Sequence, residues 1–327
     1  MSRIHPLVRW HLLLFIALPV ASVHADWIAE TANKMGTRVE IEVWHDDPGL
    51  AEELIAAGMA EFDRIEAAMS TYRLDSILTY VNENAASRAV EVDAELFDLI
   101  SRALELSRLT DGAFDISYDS VGQFYDYRER QRPASGAIEA GLGTIDYRLI
   151  ELDSSASTIR FLKPGVRVNL GGIAKGYACE AVTALLKSRG VTSALVSAGG
   201  DTRLLGDRGN GPWIVGVRDP DDESGVVTRL AAKDEAVSTS GDYERFFIED
   251  GVRYHHILNP STGRSVSGIR SVTIVGPDAT MTDGLSTSVF VLGPEAGLAL
   301  IESLSEYEAI VIDSEHRVRL SRGFDAR

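Results

Sequence analysis

The stretch that decides the fold is VRVNLGGIAKGYACEAVTALLKSRGVTSALVSAGG, residues 166–200. Its first five residues, 166–170, form a short, mostly apolar run that predicts a strand. Gly171-Gly172 then leads into a helical pattern over residues 174–188. Residues 195–197 predict a buried strand that ends at Gly199-Gly200-Asp201. The stretch therefore places one helix between two strands.

Outside this stretch, helices and strands follow one another without regular alternation. Asp47-Pro48 is typical of a helix start, before a helical pattern over residues 50–69. A second amphipathic helix is predicted over residues 93–109, ending at Asp111-Gly112. Residues 119–144 lack a clean period and are interpreted as a long excursion over the surface. Further strands are predicted at 39–44, 149–152, 213–217, 227–230, 236–239, 271–275 and 309–313, and further helices at 281–291 and 294–304.

This mixture favours an α+β fold over a doubly wound parallel one. No internal repeat, low-complexity tract or linker interrupts the pattern. The prediction is a single compact domain with a mixed or antiparallel sheet and flanking helices, arranged as one lobe or as two.

Composition narrows the class of partner. Of the 327 residues, 45% are hydrophobic and 25% charged, which is typical of a globular protein. Acidic residues outnumber basic ones by 49 to 32, giving a net charge of −17. An acidic surface repels phosphate backbones, so no nucleic-acid partner is expected. Such a protein needs a cation or backbone N–H groups to hold a phosphorylated ligand.

The first 25 residues have the pattern of a secretory signal peptide. Arg3 and Arg9 precede the apolar run LLLFIALPVA at 12–21. Val23 and Ala25 occupy the positions that a signal peptidase reads. Cleavage after Ala25 would leave one domain over residues 26–327, exported to the bacterial periplasm, with peripheral or no membrane contact. An uncleaved anchor is the alternative, although the run is short for a bilayer.

Residues 168–177, VNLGGIAKGY, form the first candidate binding motif. Glycines allow a ligand to approach the backbone, a helix N-terminus offers free N–H groups, and Lys175 adds a positive charge for phosphate. The spacing fits neither a Walker A motif nor a Rossmann fingerprint. A tight strand-to-helix turn with a solvated lysine explains the same residues equally well.

A second motif, TDGLST at residues 282–287, places hard oxygen donors on one helix face. Asp283, Ser286 and Thr287 stand at i, i+3 and i+4, a set that suits Mg²⁺ or Ca²⁺. A backbone carbonyl such as that of Gly172 would complete it. The alternative is a helix cap at Asp283 with polar side chains on a wet face.

Two further segments are polar but less specific. His255 and His256 end a predicted strand and point to opposite sides of it, so they are a poor chelating pair. One of them would face a pocket as an acid, base or hydrogen-bond donor, and the alternative is one core and one surface histidine. Residues 238–243, STSGDY, suit either an anion-binding turn or a plain Ser/Gly turn, and the plain turn is preferred.

Taken together and in order, the motifs resemble those of the ApbE family, the FAD:protein FMN transferases. The resemblance runs from about Met35 to Gly293 of this chain. Its short motifs are MGT at 35–37, STY at 70–72 with Ser76, GAFD at 112–115, residues 170–177, GGD at 199–201, residues 238–243, residues 256–263 and residues 283–287.

The resemblance implies the family's α+β fold and a flavin-transfer reaction. Family members bind FAD and a divalent cation, usually Mg²⁺, with Ca²⁺ or Mn²⁺ as other possibilities. They pass FMN to a Thr or Ser hydroxyl of a target protein and release AMP. The implied acceptors are FMN-carrying subunits of membrane redox complexes. A metal-dependent FAD pyrophosphatase and a non-catalytic exported flavin-binding protein are the alternatives.

Carried over by motif position, the resemblance also implies site residues. The catalytic candidate is His256, and the metal would take Asp283, Ser286, Thr287 and the carbonyl of Gly172. The FAD site would be lined by Met35, Tyr72, Ala113, Phe114, Asp115, Asn169, Lys175 and the backbone around Leu258. Aromatic rings among them, at Tyr72 and Phe114, would either stack on the ligand or belong to the core.

The sequence departs from the family pattern at two positions. Glu180 stands where the family often carries Asp, which keeps the charge but lengthens the reach. Asn169 replaces a frequent Asp, and an amide forms hydrogen bonds but does not act as a base.

Overall fold

A computed structural model of the chain describes residues 26–222 and 224–326. The predicted signal peptide, residues 1–25, lies outside the described residues. The helices are α1 (Pro48–Met69), α2 (Ile77–Asn84), α3 (Ala94–Leu109), α4 (Asp119–Gly122), α5 (Ser135–Leu142), α6 (Ala174–Ser188), α7 (Ala279–Leu292) and α8 (Pro294–Glu302).

The strands are short and numerous. In chain order they are β1 (Asp26–Lys34), β2 (Thr37–His45), β3 (Val90–Glu91), β4 (Ile150–Asp153), β5 (Thr158–Phe161), β6 (Ala194–Ala198), β7 (Asp201–Leu205), β8 (Trp213–Arg218), β9 (Val226–Ala232), β10 (Ala236–Gly241), β11 (Phe246–Glu249), β12 (Val252–His255), β13 (Leu258–Asn259), β14 (Arg264–Ser265), β15 (Ile269–Gly276), β16 (Glu308–Asp313) and β17 (Val318–Leu320).

One eight-stranded sheet dominates, in the order β1-β2-β6-β7-β10-β15-β16-β17. Every pairing in it is antiparallel. This confirms the α+β prediction, since a doubly wound fold would need parallel neighbours. Strands from both ends of the described chain lie in this sheet.

Helices cover one face of the sheet in nearly the same order as the strands. Helix α1 contacts β1 and β2, α6 contacts β6 and β7, α7 contacts β10 and β15, and α8 contacts β16. The main apolar core lies between these two layers. The β8–β9 hairpin packs on the opposite face, where Trp213 meets Leu204.

The predicted helix caps are present. Asp47 accepts hydrogen bonds from the N–H groups of Gly49 and Leu50, and Pro48 opens α1. Helix α3 ends before Asp111 and Gly112, which both have positive φ angles, 49° and 80°. Helix α6 has the predicted bounds. The excursion at 119–144 is irregular apart from α4 and α5.

Two local predictions are wrong. Residues 166–170 join no sheet, because their backbone groups find other partners: Asn82 bonds both backbone groups of Val168, Ser120 accepts from the N–H of Arg167, and the N–H of Asn169 donates to the carbonyl of Ile116. Residues 238–241 belong to β10 instead of a Ser/Gly turn, and β10 pairs with both β7 and β15.

Candidate functional site

The candidate site lies where α6 begins. The Gly171-Gly172 turn and Lys175 come from this helix start, Asp283 comes from α7, and Asp201 opens β7. Asp201 pairs in register with Ser238 of β10, so the two strands present neighbouring polar side chains toward the helices. The fold thus gathers residues far apart in sequence at one end of the α6–α7 contact.

A lysine and two buried carboxylates form the centre of the site. The Nζ of Lys175 lies 2.8 Å from Oδ2 of Asp201, and 3.1 and 3.2 Å from the two carboxylate oxygens of Asp283. The carbonyl oxygen of Gly171 lies 3.4 Å from the same Nζ. Asp201 and Asp283 are only 1% and 2% exposed. A solvated lysine is therefore excluded, and the ammonium is held by fixed partners.

The charges of this cluster shift its ionisation. Burial alone would lower the pKa of Lys175, but the negative charges of Asp201 and Asp283 outweigh burial and raise that pKa. Burial, and then the charge of Asp283, raises the pKa of Asp201 to about 7, while Lys175 opposes this rise. The Oδ2 of Asp201 lies 2.8 Å from the ammonium of Lys175, and the two groups form an ion pair.

Asp283 also supports the start of α6. Its Oδ2 accepts a hydrogen bond of 3.0 Å from the N–H of Gly176, a first-turn donor that has no acceptor within its own helix. The two helices approach so closely that a Cβ on Gly176 would stand 2.0 Å from the carbonyl oxygen of Ala279. Only glycine fits this crossing. The cap of α7 is Asp278, which accepts from Met281, so Asp283 is not the helix cap.

The two hydroxyls beside Asp283 differ in their burial and in their hydrogen bonds. Ser286 is fully buried, donates to the carbonyl of Asp283 at 2.8 Å and lies 2.7 Å from the hydroxyl of Ser240. Thr287 is half-buried and lies 3.4 Å from Ser240. A Cβ on Gly172 would lie 3.5 Å from the Thr287 hydroxyl, so these two residues are neighbours. Thr287 is better placed than Ser286 to face a ligand.

The paired histidines have different environments, as predicted. His255 is buried, its Nε2 lies 2.7 Å from the carbonyl of Val266, and its Nδ1 accepts from the N–H of Ile257. Burial lowers its pKa to about 4. His255 is therefore a neutral core residue.

His256 instead has a free ring nitrogen. Its Nδ1 is buried and has no hydrogen-bond partner, while its backbone N–H donates to the carbonyl of Arg245. Burial, followed by the positive charge of Arg245 and a smaller effect of Lys175, lowers the pKa of His256 to about 3. A buried ring nitrogen without a partner is a polar group that a bound ligand can satisfy by hydrogen bonding.

Arg245 connects His256 to the turn between β1 and β2. Its Nη2 donates to the carbonyl of Gly36 at 3.1 Å. The turn is Met35-Gly36, with positive φ angles of 53° and 68°, and the N–H of Met35 donates to Glu66 at 2.7 Å. Met35 is therefore held near the same end of the sheet as His256.

The aromatic candidates separate clearly. Tyr72 is 86% exposed in the turn between α1 and α2. Phe114 is 3% exposed and belongs to the main core, where its ring lies against Gly172 and Gly284. Its ring has no free face for stacking, so the core interpretation holds for Phe114. Ala113, just before it, is partly exposed.

Two polar candidates hold the loops around the glycine turn. The side-chain amide of Asn169 donates to Thr71 at 3.1 Å and Asp119 at 3.2 Å, and its oxygen accepts from the N–H of Gly171. Asp115 accepts from both the N–H and hydroxyl of Ser117, and from the N–H of Tyr147.

These bonds define what each residue does in the free protein. Burial raises the pKa of Asp115, and three internal hydrogen bonds oppose the rise. Its carboxylate thus fixes a turn. Asn169 joins the glycine turn to the Tyr72 loop, so it positions two candidate binding segments together.

Leu258 is held in place by both its side chain and its backbone. Its side chain is buried against Val121 and Ile138, and its backbone pairs with Ser265. Glu180, the departure from the family pattern, is bound to Arg203 and the N–H of Ala279. It therefore supports the α6–α7 contact.

Sequence reasoning missed Asp201 and Ser240 as members of the site. A signal for Asp201 existed, because it follows a buried strand and two glycines, but only its partner Lys175 shows what it does. Across residues 26–222 and 224–326, no group of three or more His, Cys, Asp and Glu side chains could hold a metal.

The sequence is similar to those of known proteins over most of its length. A sequence profile of the ApbE family matches residues 35–311. The chain belongs to the ApbE family. It is 33% identical over 310 residues to the FAD:protein FMN transferase of Treponema pallidum, covering 88% of this chain and 85% of that one. The enzyme of the same name from Vibrio cholerae is 32% identical over 292 residues, covering 85% of each chain.

Solved structures of the ApbE family share the architecture. The ApbE protein of Thermotoga maritima superposes with a TM-score of 0.86 at 33% identity, covering 92% of this chain and 99% of that one. The flavin transferase ApbE of Vibrio cholerae gives 0.83 at 28% identity, covering 93% and 99%. These matches confirm the predicted family and fold class. The chain is thus an enzyme, of the transferase class.

Proposed function

We propose that this ApbE-family enzyme transfers FMN from FAD to a Thr or Ser hydroxyl of a flavoprotein and releases AMP. The printed name of its relatives, FAD:protein FMN transferase, supports flavin transfer. The observation that carries the proposal is the ammonium of Lys175 held by two buried carboxylates beside the glycine turn. It places an ammonium at the glycine turn of an acidic protein, where a divalent cation that offsets the two carboxylates would let the site accept a pyrophosphate.

The reaction needs charge neutralisation and alignment. The acceptor oxygen forms a bond to the phosphorus of the FMN half, and the bond from that phosphorus to the bridging oxygen breaks. AMP leaves with the bridging oxygen, and the hydroxyl proton passes to a base. Lys175 would stabilise the charge on the phosphoryl oxygens, and the helix start would orient them.

The residues present fit a hard divalent cation. Asp283 offers a carboxylate, Thr287 a hydroxyl, and Gly172, which neighbours Thr287, a carbonyl. Ser286 would have to give up its bonds to Ser240 and the Asp283 carbonyl before it could bind an ion. All are oxygen donors, which Mg²⁺ prefers, with Ca²⁺ or Mn²⁺ as alternatives. When bound, the cation would supply positive charge to the pyrophosphate.

His256 is the proposed proton acceptor. In the free protein its ring is neutral and the buried Nδ1 lone pair is unused. A bound pyrophosphate would offset the positive charges of Arg245 and Lys175 that lower its pKa. The ring would then hold a proton more readily when substrate is present. Met35, Tyr72 and Asn169 are the proposed flanking contacts to FAD.

We also propose where the enzyme acts. The signal-peptide pattern of residues 1–25 supports export to the periplasm, where FMN-carrying subunits of membrane redox complexes would be acceptors. Across the described residues, no helix combines the length and apolar character needed to cross a membrane. The acidic charge argues against a nucleic-acid partner.

In-gel flavin fluorescence tests the proposal. The protein without residues 1–25 is incubated with FAD, Mg²⁺ and a candidate FMN-carrying subunit, then denatured and separated. Fluorescence that remains on the acceptor supports transfer, and its loss after replacing the acceptor hydroxyl by alanine identifies the bond. Free FMN and AMP without labelled acceptor would replace transfer by FAD hydrolysis.

A further inference from the structure

Asp201 has no assigned role, yet it is the most buried charged group of the site. Its Oδ2 has no aligned hydrogen-bond donor and lies 2.8 Å from the ammonium of Lys175. Asp283 holds the same ammonium through both of its oxygens. Two carboxylates thus share one cationic side chain, and when both are ionised the trio carries one uncompensated negative charge.

The ammonium stands where a metal bound to Asp283 would be crowded. Mg²⁺ binds oxygen at about 2.0–2.1 Å. The Nζ of Lys175 lies 3.1 and 3.2 Å from the two Asp283 oxygens and 3.4 Å from the Gly171 carbonyl. Two cations cannot share this face of one carboxylate without strong repulsion in a buried setting. Binding of a divalent ion to Asp283 therefore requires Lys175 to move away from Asp283.

We propose that Asp201 is a positioning residue that keeps Lys175 at the site when a divalent cation takes its place on Asp283. In the metal-free protein Lys175 neutralises Asp283, and in the loaded protein the ammonium rests on Asp201. There it remains beside the glycine turn and available to the pyrophosphate. This inference rests on the proposed metal at Asp283.

The two carboxylates are suited to these different parts. Asp283 is anchored by the N–H of Gly176 and neighbours the oxygen donors Gly172 and Thr287. Asp201 lies on the sheet, where its backbone pairs with Ser238. The lysine side chain is 25% exposed, so it has room to turn from one carboxylate to the other.

The test is a titration of the FAD-free protein with Mn²⁺ alone, followed by calorimetry. In Asp201→Asn the ammonium keeps only Asp283, so it competes harder with the cation. The affinity for Mn²⁺ should fall at least about fivefold, within the usual range of coupling between interacting sites. In Lys175→Met the competitor is gone, so affinity should rise and Mn²⁺ should raise the melting temperature more than in the wild type.

The double variant separates positioning from direct coordination. If Asp201 acts through Lys175, the loss caused by Asp201→Asn should shrink to under about threefold in the Lys175→Met background. An equal loss in both backgrounds would make Asp201 a direct ligand and overturn the proposal. If Lys175→Met does not fold, Lys175→Arg decides instead. A guanidinium holds the Asp283 carboxylate through two parallel bonds and competes harder with the cation, so Mn²⁺ affinity should drop, and an unchanged or higher affinity would overturn the proposal.

Asp313→Asn is the matched control, because Asp313 is equally buried and ion-paired, to Arg317, in a separate network. Its Mn²⁺ affinity should equal that of the wild type. Wild-type protein that binds neither Mn²⁺ nor Mg²⁺ would overturn the proposed metal as well. Wild-type binding with an unchanged affinity in folded Asp201→Asn would overturn the role of Asp201 alone.

Discussion

Replacing Asp283 by alanine should abolish transfer while leaving a folded enzyme. The change removes the acceptor for the N–H of Gly176, which we expect to cost about 1 kcal/mol, like the loss of a helix cap. Breaking a buried ion pair usually costs about 3–5 kcal/mol, because a charge is left alone. Here Lys175 keeps Asp201 at 2.8 Å, so that larger cost does not apply.

The expected total is therefore about 1–2 kcal/mol of unfolding free energy, including a smaller term for the lost side-chain contacts. That corresponds to a melting temperature lower by about 2–8 °C. Turnover should fall at least about 100-fold, as when one charge-stabilising group is removed from an active site. Urea unfolding gives the free energy, and covalent flavin on the acceptor gives the activity.

Asp313→Ala is the control, because it also deletes a buried, ion-paired carboxylate that accepts backbone N–H bonds. It should lose stability but keep transfer. A loss of more than about 3 kcal/mol in Asp283→Ala would refute the sharing of Lys175 by two carboxylates. Undiminished transfer in that variant would refute the assignment of Asp283 to the cation.

Three other outcomes are expected. Gly176→Ala should lower the free energy of unfolding by about 1–3 kcal/mol, since its Cβ would meet the Ala279 carbonyl at 2.0 Å. Gly136→Ala is the control and should not be destabilised, because its Cβ would have nothing within 4 Å. Thermal melts compare the two variants. His256→Ala should lose transfer activity with little change in stability to urea, because its Nδ1 has no partner to lose. His255→Ala should lower the free energy of unfolding by about 1–3 kcal/mol, because it leaves the buried carbonyl of Val266 unpaired. Burial lowers the pKa of His255 to about 4, below its unfolded value near 6.5. Between about pH 6.5 and 4 the unfolded chain therefore binds a proton that the folded chain does not. The stability of the wild type should fall as the pH drops through this range. Urea melts of His255→Gln at pH 7, 6 and 5 should show a flatter pH dependence, and an equal slope would contradict this cause.

Among the described residues, local patterns predicted α1, α3, α6, α7 and α8, because the caps and periodicity of these helices are local signals, but not the shorter α2, α4 and α5. Helix α6 has its predicted bounds, and Asp47-Pro48 begins α1 as expected. Residues 166–170 are a case in which the local pattern gives the wrong prediction. Their apolar run predicts a strand, but Asn82 and Ser120, distant in sequence, supply the hydrogen bonds that a neighbouring strand would have given. Composition carries no signal for such a substitution of partners.

The candidate site was predictable in its members more than in their roles. Lys175 and Asp283 were both expected near phosphate and metal, but their direct contact was not. Asp201 joins them only because β7 and β10 lie side by side beneath α6 and α7. Phe114 could not be assigned to core or ligand from sequence, since an aromatic ring suits both, and only its burial decides.

The most direct test of flavin transfer is the ratio of products in one reaction. AMP released from FAD is measured by chromatography, and FMN bound to the acceptor is measured by intact-protein mass, in the presence of Mg²⁺. Flavin transfer predicts one AMP for each FMN attached, with neither product formed by Asp283→Ala. Release of AMP together with free FMN, and an acceptor of unchanged mass, would contradict it.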